Sequence, residues 1–146
     1  MAVAVDIVEI GQVAASLDAF GQRYAERVFT AGEIAYAFRA PANAAARLAA
    51  RFAAKEAVIK LLRPGEIGVD PRSIEVVVEA DGAPGIQLTG AAARLARERK
   101  ISRISVSLSH DGGYAIAAVS AEPDTVGWRS SRLCRRRHTP WTRTQR

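Results

Sequence analysis

RFAAKEAVIK, residues 51–60, decides how the rest of the chain is read. Leu48, Phe52, Ile59 and Leu62 fall on one apolar stripe and predict a long helix over about residues 43–62. Asn43 is placed to cap it, and RPGEIG (residues 63–68) stops it. At about 100° per residue, Glu56 is displaced by roughly 60–80° from the stripe's centre, so partial burial at the edge of a core is expected. Lys60 lies one turn beyond Glu56, an i,i+4 pair worth about 0.2–0.5 kcal/mol on an exposed helix. Arg47, Arg51 and Lys55 share a second i,i+4 ridge. Like charges at that spacing repel, so the ridge is mildly destabilising unless an anion or acidic side chains lie against it. It reads either as a solvated basic face or as a phosphate site that uses charge and arginine's fork of donors.

Working outward, AVAVDIV (residues 2–8) reads as a strand, largely buried because it is apolar on both parities. Residues 11–28 carry Val13, Leu17, Phe20, Tyr24 and Val28 at helical spacing, interrupted by Gly21. TAGE (residues 30–33) is a capping box that starts a short helix ending near Phe38. IEVVVEA (residues 74–80) and IQLTG (residues 86–90) read as strands around a DGAPG turn. Thr89 is placed to cap a helix running to about Lys100. ISVSLSH (residues 104–110) alternates strictly, and DGG turns it into a returning strand, YAIAAVSAE. The expected class is α+β, an antiparallel sheet of hairpins packed by a long central helix and shorter helices.

The net charge of +6 divides unevenly. Residues 127–146 hold seven arginines and no acid, which leaves 14 Lys and Arg against 15 Asp and Glu in residues 1–126. A nucleic-acid reading of the pI of 10.2 would rest on this tail alone, so no nucleic-acid partner is expected for the folded part. The expected organisation is one domain over residues 1–124 and a basic, disordered tail over residues 125–146. The single Cys134 rules out a disulfide framework and a zinc-ligand cluster, and it suits a reducing compartment. MAVAVDIVEI lacks a basic n-region and is broken by Asp6 and Glu9, so it is a poor signal peptide. No apolar run reaches the length of a membrane span, and a cytoplasmic protein is expected.

Asp6 sits inside an apolar strand, where an ionised carboxylate needs hydrogen bonds, a counter-charge or a metal. The bland alternative is a turn aspartate at the strand end. Asp6 and Glu56 lie on separate elements among several cations, with no Cys/His cluster. That set suits Mg²⁺, which is held by one or two carboxylates while substrate phosphates and water complete its shell. There is no P-loop and no GxGxxG. SLSHDGG (residues 107–113) raises a Ser/His/Asp hydrolase, but no GxSxG elbow accompanies it.

The order of these motifs is informative: a strand ending in DIVEI, then RVFTAGE, RFAAKEAVIKLL and SLSH. Over about residues 2–122 the chain resembles the holo-acyl-carrier-protein synthases, the small bacterial 4′-phosphopantetheinyl transferases. The resemblance implies the fold of that family. It also implies Mg²⁺-dependent transfer of the phosphopantetheine arm of coenzyme A to a serine of an apo carrier protein, with release of 3′,5′-ADP. By the same resemblance, Asp6 and Glu56 would be the metal ligands, and Asp6, Glu56 and Lys60 the catalytic set. Arg51, Lys55 and His110 would bind the coenzyme's phosphates. A homotrimer with sites between subunits is implied as well. Two features depart from the family pattern. Ala2 and Ala4 stand where glycines are usual, and Gln12 stands where a basic residue for carrier docking is usual. A non-catalytic relative that binds coenzyme A or carriers is the alternative reading.

Overall fold

The computed structural model describes residues 1–65 and 68–123. The predicted basic tail lies outside the described residues, as do Glu66 and Ile67 of RPGEIG. Strands β1 (Ala2–Glu9), β2 (Ile74–Val78), β3 (Pro84–Leu88), β4 (Ile101–Asp111) and β5 (Tyr114–Pro123) form one sheet in the order β1-β5-β4-β3-β2. All its neighbours are antiparallel. Helices α1 (Ile10–Val28), α2 (Ala31–Phe38), α3 (Ala44–Leu62) and α4 (Gly90–Glu98) complete the expected α+β architecture.

The core forms where α3 crosses the sheet. Ala53, Ala54 and Ala57 of α3 and Ala115 and Ala117 of β5 are all 0% exposed. Methyl-sized side chains on both surfaces let helix and strand approach closely. Larger residues fill the ends: Val58, Leu62, Ile74, Leu95 and Val119 at one, Val13, Phe29 and Leu48 at the other. The stripe predicted for α3 was too narrow. Leu48 and Leu62 are fully buried as expected, yet Phe52 and Ile59 are only partly so, and the alanines between them are buried instead.

β1 departs from the expected burial on both faces. It is an edge strand covered on one face only. Ala4, Asp6 and Val8 turn toward the helices, while Val3, Val5 and Ile7 remain 63%, 48% and 61% exposed. The opposite face of the sheet adds Ile116, registered with Ile7, and a row of serines on β4.

Helix starts follow sequence in one case and not in two. The Thr30 hydroxyl accepts from Glu33 N at 3.2 Å, and Glu33 Oε2 accepts from Thr30 N at 2.9 Å, completing the predicted capping box. Asn43 and Thr89 make no side-chain cap. Pro41–Asn43 instead forms a 3₁₀ turn that runs directly into α3, so its carbonyls already receive the first amides. Gly21 has φ 53° and kinks α1, as its place in the helical pattern foreshadows.

Candidate active site between the central helix and the edge strand

Asp6 stands mid-strand on the helix-facing side of β1, registered with Ala117 of β5. It is not a turn residue. The close approach of α3 brings Lys60 to it: the ammonium donates to Asp6 Oδ1 and, at 3.3 Å, to the Val5 carbonyl. The aspartate side chain keeps only 16% of its surface, the lysine 53%. The counter-charge that a half-buried Asp6 requires is therefore Lys60. The same contact replaces the expected helical pairing of Lys60 with Glu56.

Glu56 lies one turn before Lys60 and is partly buried, as its place at the stripe's edge predicted. Burial raises its carboxyl above the usual carboxylate range; the Asp6 charge raises it further, and Lys60 pulls it back. Asp6, Glu56 and Lys60 thus form one electrostatic cluster at the seam of α3 and β1. Among the described residues no group of three or more His, Cys, Asp or Glu could hold a metal. Two carboxylate ligands, with the other positions left to water and substrate oxygens, fit a hard cation such as Mg²⁺ and fit no thiolate- or imidazole-preferring metal.

The basic ridge of α3 is placed differently from a solvated face. Lys55 is 0% exposed and pairs with Glu33 of α2 at 2.8 Å. It also donates to the carbonyls of Pro71, at 2.8 Å, and Ile74. An ammonium has three donors, and all three are used. Burial lowers this amine's pKa, and Glu33 works against that. Arg51 is 4% exposed and lies over the Tyr36 ring, 4.1 Å from its centroid, with Arg47 at 5.1 Å and Arg39 at 5.6 Å. Arg47 donates to the Tyr36 carbonyl at 3.1 Å, Arg51 to the Arg47 carbonyl at 3.1 Å, and Arg51 Nε has no partner among the described residues. Acidic and aromatic side chains of α2 therefore lie against the ridge, and Lys55 is not brought to Asp6 and Glu56.

His110, next to last in β4, lies on the same face as Asp6, exposed and without a side-chain hydrogen bond among the described residues. It is registered with Ala115 and Val8, one inward-facing position beyond the Leu108–Ala117–Asp6 row. Strand alternation turns Ser109 and Asp111 to the opposite face, so these neighbours make no triad. Glu33 and Tyr36 were not anticipated as partners of the ridge. Their i,i+3 spacing on α2 was the available signal, but it carries no information about which helix they face.

The chain matches the family model described as the 4′-phosphopantetheinyl transferase superfamily over residues 2–119. It is 44% identical over 115 residues to a holo-[acyl-carrier-protein] synthase of Gloeobacter violaceus, spanning 79% of this chain and 87% of that one. Among solved structures, the Neisseria meningitidis holo-[acyl-carrier-protein] synthase superposes with TM-score 0.73 at 34% identity, covering 82% of this chain and 96% of the other. The Helicobacter pylori enzyme of the same name, in complex with coenzyme A, superposes with TM-score 0.71 at 29% identity, covering 83% and 100%.

Proposed function

The chain belongs to the 4′-phosphopantetheinyl transferase superfamily, and from that premise we propose that it moves the phosphopantetheine arm of coenzyme A onto a serine of an apo acyl carrier protein. The observation that carries this reading is the convergence of Asp6, Glu56 and Lys60 at one seam, in a chain similar to synthases of that name. Asp6 and Glu56 would hold Mg²⁺, which when bound supplies charge neutralisation to a diphosphate.

The chain's own residues divide the remaining work. Glu56 accepts the proton of the carrier serine, directly or through one water, from its place at the seam beside Asp6 and Lys60. The serine oxygen forms a bond to the phosphorus that bears the pantetheine arm. The diphosphate P–O bond breaks, and 3′,5′-ADP leaves with the electron pair. Lys60 donates to the charge that grows on the leaving phosphate. Arg51 is assigned to the coenzyme's other phosphates, supported by three guanidinium groups gathered around Tyr36 and an Nε that meets no partner among the described residues. His110 is assigned there as well, supported by its exposure on the site's face of the sheet.

The uncovered face of β1 and β5 supports self-association. Val3, Val5, Ile7 and Ile116 form a patch of a kind that soluble monomers rarely leave open. We assign it to a homotrimer in which this face is covered by other copies. No helix among the described residues is long and apolar enough to cross a membrane, and the one cysteine fits the reducing cytoplasm to which we assign the protein. The test is to incubate purified protein with an apo carrier, coenzyme A and Mg²⁺ and to weigh the carrier. A gain of one phosphopantetheine arm is expected; no gain across fatty-acid, polyketide and peptide carriers overturns the reading.

A further inference from the structure

We propose that Glu33 and Lys55 are a positioning pair: they set the rotation of α3 about its axis, and so the direction in which Glu56 faces Asp6. The inference rests on the reading of Asp6, Glu56 and Lys60 as the reacting centre.

Lys55 immediately precedes Glu56, about 100° away around the helix. Its ammonium is held by three acceptors on three elements: Glu33 of α2, the Pro71 carbonyl of the 3₁₀ turn Pro71–Ser73, and the Ile74 carbonyl at the start of β2. Glu33 is itself anchored twice. Its Oε1 accepts from Val76 N at 2.9 Å and its Oε2 from Thr30 N at 2.9 Å. The Thr30 hydroxyl in turn donates to Glu75 Oε1 at 2.8 Å. Both charges are 0% exposed and fully satisfied.

Stability alone does not account for such a pair, because apolar residues of similar volume serve a core as well or better. Direction is what apolar residues would not supply here. Where α3 crosses the middle of the sheet its surface is made of methyls, Ala53 and Ala54 against Ala117, and the larger Leu48, Val58 and Leu62 lie toward the ends. Methyls specify distance well and rotation poorly. A rotation of about 20° moves a helical Cα by roughly 0.8 Å, and the carboxyl beyond it by more. Displacement on the order of 1 Å in a reacting group costs about a hundredfold in rate. The directed bonds of Lys55 hold that rotation, which also gives this lysine a role other than binding coenzyme.

The experiment compares wild type, Lys55→Met and the double variant Lys55→Met/Glu33→Leu, each well below its melting temperature. Melting temperature, kcat, KM for coenzyme A and, without coenzyme, calorimetric affinity for Mn²⁺ are measured. The single variant strands a buried carboxylate and melts far lower. The double variant removes the stranded charge but still leaves Val76 N and the Pro71 and Ile74 carbonyls without their partners, so it melts between the single variant and wild type; its kcat stays reduced about 10- to 100-fold, with a weakened Mn²⁺ affinity and a KM within about threefold of wild type. Wild-type kcat and Mn²⁺ affinity in the double variant would overturn the proposal in favour of packing alone. A tenfold rise in KM with kcat intact would overturn it in favour of a coenzyme ligand. If the double variant does not fold, Glu33→Gln reads the same division, with reduced kcat at constant KM supporting the proposal and any other pattern overturning it. A wild type that binds Mn²⁺ but does not modify a carrier overturns the proposed reaction instead, and the Mn²⁺ affinities still decide the role of the pair.

Discussion

Ala117→Leu tests whether the close approach of α3 to the sheet builds the site. Ala117 is 0% exposed, registered with Asp6 on one side and Leu108 on the other, and packed with Ala53 and Ala54 of α3. Three further carbons have no room there unless the helix retreats. Overpacking of this kind costs about 1–3 kcal/mol. At roughly 4 °C per kcal/mol for a domain of this size, the melting temperature should fall by roughly 4–12 °C. The helix carries Glu56 and Lys60, so retreat on the order of 1 Å separates both from Asp6 and should lower kcat about a hundredfold. That loss corresponds to about 2.7 kcal/mol of barrier. The assays are thermal denaturation by circular dichroism and the rate of carrier modification at a temperature where the variant is folded. Ala15→Leu, exposed on α1, serves as the stability control and should stay within about 0.5 kcal/mol. A lower melting temperature with wild-type kcat would refute the reasoning, because Asp6 and Glu56 would then tolerate displacement of the helix that joins them.

Two further predictions follow from the charges and the uncovered face. Burial and Asp6 raise the Glu56 carboxyl, so folding favours its protonated form, and the wild-type fold loses that contribution as pH climbs through the raised value. Glu56→Gln should therefore melt higher than wild type at pH 7, with a difference that shrinks toward about pH 4, the ordinary carboxylate range; a difference independent of pH would contradict this. Ile7→Lys places a charge on a residue 61% exposed in the single chain and should yield a monomer by light scattering, whereas a wild type already monomeric would remove the case for assembly through this face.

Asp6, Glu56 and Lys60 could be found in the sequence because each breaks a local pattern: an acid inside an apolar strand, and two charges beside an apolar stripe. The extent of α3 was equally plain, since Pro41 and RPGEIG bracket an alanine-rich run. The fate of Lys55 was not legible. Periodicity placed it on a basic ridge that called for an anion or acidic side chains, but did not say which; the acid, Glu33, lies on another helix and had already been accounted for as part of a cap. β1 shows a second limit. Apolar residues on both parities show that two faces are suited to burial, but not whether this chain or another copy provides the cover. Asn43 and Thr89 had the right chemistry for caps, yet local backbone geometry left their side chains without that bond. In each case the missing term is a contact between elements distant in sequence, or a turn whose geometry composition does not specify.

The most direct test of the central claim is the mass of an apo carrier after incubation with coenzyme A, Mg²⁺ and either wild type or Glu56→Gln. Both proteins should give the same circular dichroism spectrum. Wild type should convert the carrier to the form heavier by one phosphopantetheine arm, releasing 3′,5′-ADP in equal amount. Glu56→Gln should be slower by at least about a hundredfold, as befits loss of a general base. Equal conversion by the two proteins would contradict the assignment of Glu56, and with it the site at the seam of α3 and β1.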